Sequence, residues 1–309
     1  MSRKLLSYTA IGLILGSTAI ADVPKVAVDI APVHSLVARV MDGVGSPKLV
    51  IPAGASPHEY SLRPSEAKSL QDADMVIWIG EDLTPWMENS IETLSKNAEV
   101  ITLLKESETK LLEFREGALF EEHDHGDHDD HDDHDDHGHG EHDPHAWLSI
   151  ENAQTWLNLV AGKLSAADPD NAGVYFANAA AAREEINDLV KDVNSILEPV
   201  RGRNFVVFHD AYQYFETSFN FPAAGAISLG DATDPSAARI AEIQGRVKDE
   251  GINCVLSEPQ YNANLVATVL SGTDAKTGVI DPLGLGLEPG PKLYGDLIRN
   301  MAKALAGCL

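Results

Sequence analysis

Cysteine is scarce: Cys254 and Cys308 are the only two in 309 residues. Basic residues are also few, with 23 Lys and Arg against 48 Asp and Glu, a formal net charge of −25. A chain so acidic repels phosphates, which excludes nucleic acid as a partner. Long apolar runs are absent after the first 21 residues. Nothing there approaches the ~20 continuous apolar residues that a membrane span needs. The H-E-x-x-H helix of many zinc hydrolases is missing as well.

What the chain does have begins with a targeting segment over residues 1–21. Arg3 and Lys4 supply positive charge, residues 5–19 are mostly apolar, and Ala19-Ile20-Ala21 is a small-x-small cleavage site before Asp22. The run is short for an anchor and is weakened by Gly12, Gly16, Ser17 and Thr18. No cysteine stands at the cleavage point, so lipid anchoring is not indicated. The expectation is a soluble, exported protein cut after Ala21. In an oxidising compartment the two cysteines are expected to form a disulfide, with two free buried thiols as the alternative.

The most distinctive stretch is residues 121–142. It holds eight of the twelve histidines, His123, His125, His128, His131, His134, His137, His139 and His142, with Asp or Glu in nearly every gap. Such a segment has no apolar surface to bury, so it is expected to be a disordered loop. Imidazole suits zinc, copper and nickel, and the carboxylates add attraction for cations. The segment is therefore read as an accessory metal-binding loop rather than a plain acidic tract.

Around it, short apolar strands alternate with helical patterns. Strands are expected over residues 26–30, 47–52, 75–79 and 100–103, and again over 204–208, 254–257 and 278–281. Helices are expected over 34–41, 66–71 (with Ser65 as N-cap), 81–94, 147–164, 235–249, 263–271 and 293–305. Alternation of this kind indicates an α/β fold with mainly parallel sheets. Residues 169–197 form one long helical pattern, roughly 40 Å at 1.5 Å per residue. The expected organisation is an N-terminal lobe (22–165), a connecting helix (166–199) and a C-terminal lobe (200–309).

Four histidines lie outside the loop. His34, in the first helix, is read as structural or exposed. His58, His145 and His209 each stand at a strand end or in the loop beyond one, as does Asp281. Ligands bind beyond the carboxyl ends of strands in open α/β sheets. A cleft between the lobes would join His58 and His145 to His209 and Asp281. Three imidazoles with a carboxylate or water make a tetrahedral shell suited to Zn²⁺. Glu59 is expected to face solvent or to stand behind the ligands. Glu258 either orients a histidine or is a charge paired inside its lobe.

The stretches GASPHEYSLRPSEAKSLQDADMVIWIG, HAWLS, VVFHDAY, SEPQY and VIDPLG, with the acidic histidine loop, resemble the periplasmic zinc-binding proteins of ABC uptake transporters. The resemblance spans nearly all of the chain after the targeting segment. It implies two α/β lobes on a long backbone helix, a periplasmic location, and delivery of zinc by a monomer to an inner-membrane permease. It also implies His58, His145 and His209 as ligands and a Cys254–Cys308 disulfide. For the fourth ligand, some zinc members use a Glu just before the first histidine, but Pro57 stands there, leaving Asp281 or water. A secreted zinc hydrolase is the rival class, and manganese or iron the rival cargo.

Overall fold

The computed structural model describes residues 23–115, 142–228, 236–249, 251–260 and 263–309. The expected targeting segment with its expected cleavage site, and seven of the loop histidines (His123, His125, His128, His131, His134, His137, His139), lie outside these residues.

The first half runs β1 (Val26–Val28), α1 (Ala31–Val40), β2 (Lys48–Leu49), α2 (Pro64–Gln71), β3 (Met75–Trp78), α3 (Pro85–Leu94) and β4 (Glu99–Thr102). Two long helices follow, α4 (Ile150–Ala167) and α5 (Ala172–Leu197). The second half runs β5 (Phe205–His209), α6 (Gln213–Phe219), β6 (Gly225–Ser228), α7 (Ala237–Asp249), β7 (Cys254–Ser257), α8 (Ala263–Leu270), β8 (Lys276–Val279) and α9 (Leu293–Cys308).

The described strands form two four-stranded parallel sheets, ordered β2-β1-β3-β4 and β6-β5-β7-β8. β1, β3, β5 and β7 are buried at every position. Strands covered on both faces need continuous apolar runs, and these four supply them. In both sheets the chain lays down one central strand, adds an edge strand, then crosses back to the other side. The crevice this leaves at the carboxyl ends, between β1 and β3 and between β5 and β7, is where such sheets bind ligands.

Helix α5 buries Tyr175, Ala179, Ala182, Ile186, Leu189, Val193 and Leu197. Their spacing of three or four residues makes a single stripe along 26 residues. The helix packs against α1, α4, α6 and α9. One buried cluster thus runs from the first sheet through α5 to the inner part of the second. A smaller cluster, including Val206, Phe208, Ile243 and Val255, lies on the outer side of the second sheet.

The long helical stretch differs from expectation at its start. Ala167 still belongs to α4, and a 3-10 turn, Pro169–Asn171, precedes α5. Pro169 ends α4, and the Asp168 carboxylate accepts hydrogen bonds from Tyr175 Oη and Asn171 Nδ2, each at 2.8 Å, which fix the break. At α2 the N-cap is Arg63 rather than Ser65, because Glu66 reaches back to accept the Arg63 amide at 2.7 Å. The strand β6 was not expected: its sequence, Gly-Ala-Ile-Ser, lacks the β-branched run that marks its neighbours. Cys254 and Cys308 are disulfide-bonded, tying the start of β7 to the end of α9.

Candidate metal centre

His209 is the last residue of β5, not the first beyond it, and Glu258 immediately follows β7. Because β5 and β7 are neighbours, the two side chains meet in the crevice: His209 Nδ1–H donates to Glu258 Oε1 at 2.6 Å. Both are buried. The sequence left two roles open for Glu258, and the structure shows it hydrogen-bonded to the histidine.

His145 precedes the 3-10 turn Ala146–Leu148. Asp143 Oδ1 accepts both its backbone amide (2.9 Å) and its ring Nδ1–H (2.7 Å), which fixes the tautomer. Asp143 escaped the sequence reading because it looks like the last acid of the loop. Its position two residues before a histidine that opens a helical run was the available signal. Tyr214 of α6 holds this segment, donating to the Asp143 carbonyl at 3.0 Å and accepting the Leu112 amide at 2.9 Å.

His58 lies in the loop between β2 and α2. Trp86 Nε1–H donates to the Pro57 carbonyl at 2.7 Å, and Tyr60 Oη donates to Glu66 at 2.8 Å, so the loop is held on both sides of His58. His58 is partly exposed where the other two are buried. Glu59 faces solvent.

The three histidines converge. Each offers a ring nitrogen, and these all lie within 4.8 Å of one another. His145 Nε2 and His209 Nε2 are 3.2 Å apart. Since both rings commit Nδ1 to a carboxylate, in its neutral form each ring presents the Nε2 lone pair to the other. Two nitrogens on one tetrahedral zinc, at 2.0–2.1 Å from the ion, stand about 3.3 Å apart. The separation therefore matches an edge of a zinc shell, and a cation resolves the opposed lone pairs. The cavity, lined by the three histidines with Trp147, Glu258 and Gln260 among others, measures about 10 Å³, a volume that suits an ion and excludes a bulky organic ligand.

Asp281 is not in this group. Its carboxylate accepts the amides of Leu283 (3.0 Å) and Leu285 and the Gln260 side chain (3.3 Å). His142 pairs with Glu113 as an isolated antiparallel bridge and is likewise outside the trio. His34 is buried, within 3.2 Å of the Pro47 carbonyl, and burial holds its pKa below the ordinary imidazole value, as befits a structural residue.

One further charged group abuts the centre. Asp210, next to His209, and Glu216 of α6 share the guanidinium of Arg115, which donates to Glu216 at 2.8 Å and to Asp210. Burial raises the Asp210 pKa, and Arg115 offsets part of that rise. For Arg115, burial opposes the charge but the bonds from Glu216 and Asp210 outweigh it, so its pKa stands above the ordinary value.

The family described as ZnuA, zinc-uptake complex component A, periplasmic, matches residues 26–308. A high-affinity zinc uptake system protein ZnuA of Paracoccus denitrificans is 45% identical, covering 96% of this chain and 95% of its own. The Brucella abortus protein of the same name is 43% identical over 95% and 94%. Among solved structures, a crystal structure of ZnuA superposes with a TM-score of 0.76 at 21% identity, covering 93% of this chain and 99% of that one. A manganese complex of the Pseudomonas aeruginosa protein FpvC gives 0.76 at 20% identity, covering 93% and 98%. These two likenesses establish the shared fold. The chain belongs to the ZnuA family, the periplasmic component of zinc-uptake complexes.

Proposed function

We propose that His58, His145 and His209 capture one Zn²⁺ in the periplasm and that the chain, a monomer cut after Ala21, delivers it to an inner-membrane ABC permease. Family membership makes it a solute-binding protein rather than an enzyme. The observation that carries the ligand set is the pair of Nε2 atoms 3.2 Å apart, each backed by a buried carboxylate. Carboxylates behind ligating histidines fix ring orientation and raise basicity. They also place negative charge beside a dication. Three imidazoles favour zinc over manganese or iron, which take more oxygen.

The fourth position is assigned to water. Asp281 is engaged by two backbone amides and Gln260, and releasing it to the ion would leave those donors unmatched. The segment containing His123, His125, His128, His131, His134, His137, His139 and His142 gathers further zinc weakly and raises its local concentration. Protons compete for the imidazole lone pairs, so zinc affinity falls on acidification.

Calorimetric titration of the mature chain tests the ligand set. His58→Ala, His145→Ala and His209→Ala should each remove the tight equivalent and leave the weak ones. A variant that keeps a normal tight site takes that residue out of the shell.

A further inference from the structure

We infer that Gln260 positions the non-protein fourth ligand of the metal, a water, by accepting its hydrogen bond; this rests on the three-histidine reading above. Gln260 lies two residues past Glu258 and lines the same cavity as His58, His145 and His209. Its amide has only one workable orientation. Asp281 accepts the Gln260 Nε2–H at 3.3 Å and is itself fixed by the Leu283 and Leu285 amides. A carboxylate so placed cannot face an amide oxygen. The Gln260 Oε1 is therefore turned the other way, where it is buried and has no hydrogen-bond partner among the described residues.

A buried acceptor without a donor is unfavourable, and such an atom in a native structure calls for a donor that arrives later. His145 and His209 cannot provide one. Their coordinating nitrogens carry lone pairs, and on His145 and His209 the ring N–H groups already serve Asp143 and Glu258. A metal-bound water has two protons to donate and enters with the ion. Asp281 then acts at one remove, as the residue that aims Gln260. The same carbonyl dipole disfavours an anion in the fourth position, since chloride or azide has no proton to give. The centre should thus hold zinc with a neutral, exchangeable ligand, suited to release as well as capture.

The test uses the mature chain loaded with Zn²⁺ or Co²⁺. Gln260→Leu should weaken zinc about 3- to 10-fold in chelator competition, the range of one lost hydrogen bond. In the Co²⁺ form it should shift the visible d–d bands and tighten azide binding about tenfold. Asp281→Asn should give a smaller loss of the same sign. The inference is overturned if Gln260→Leu matches wild type in both zinc affinity and azide titration, or if Asp281→Asn costs far more than Gln260→Leu, as a direct ligand would. A wild-type Co²⁺ spectrum that is not tetrahedral, or that survives His209→Ala, removes the three-histidine reading itself and the inference with it.

Discussion

Arg115 reaches across 95 positions of sequence to hold Asp210, the residue that follows His209. It grips Glu216 with the same guanidinium. The last described residue before the acidic histidine segment is thereby tied to the strand end that carries His209 of the histidine trio.

Replacing Arg115 with Met should be costly, because Asp210 and Glu216 would remain buried without a counter-charge. Breaking a buried pair by removing one partner typically costs about 3–5 kcal/mol. Urea unfolding of the metal-free chain should show a loss of that order. Arg115→Met combined with Asp210→Asn and Glu216→Gln should recover much of it.

Glu258 should matter through His209 alone. Glu258→Ala leaves all three ligands in place but frees one ring to rotate. Loss of a partner of this kind costs about 10- to 100-fold in metal affinity. Chelator competition should find zinc weakened within that range, with the stoichiometry still one tight ion.

Asp29 predicts a pH dependence of stability. It ends the crevice between β1 and β3, accepting the Ile30 and Ile79 amides at 2.7 Å. Burial raises its pKa from 3.8 to about 7, against the lowering effect of those amides. Between about pH 4 and 7 the folded chain holds a proton that the unfolded chain has released. Stability therefore falls as pH rises through that window and levels off above it, by at most about 4 kcal/mol. In metal-free protein, Asp29→Asn should abolish this part of the slope. An unchanged slope would show that Asp29 does not titrate there.

The disulfide should serve the fold and spare the centre. Cys254 and Cys308 are 54 positions apart, and closing such a loop contributes about 4 kcal/mol on the chain-entropy estimate. Cys254→Ser with Cys308→Ser should lower the urea midpoint accordingly. Zinc affinity of the folded double variant should stay within a few-fold of wild type.

Much of this was legible in the sequence because the signals were local. Buried strands are apolar along nearly their whole length, so β1, β3, β5 and β7 stand out, and His209 at the end of one of them marks the crevice. The features that escaped depend on approach in space. Asp143 could not be told from the neighbouring loop acids until its carboxylate was seen on His145. Arg115 has no local mark, since its partners come from the second half of the chain. Asp281 was expected on the ion because it ends a strand in a matching motif. The turn amides of Leu283 and Leu285, which claim its carboxylate, leave no trace in residue type. β6 was missed because a strand of small residues resembles a loop.

The central claim is that a single three-histidine centre, and not the acidic segment, holds zinc tightly. Competition between Zn²⁺ and Mn²⁺ on the mature chain and on a deletion of residues 121–141 tests it most directly. One tight zinc in both proteins, undisplaced by manganese, with weaker sites in the intact chain alone, is the predicted result. Manganese prevailing, or the tight site vanishing with the segment, would contradict it.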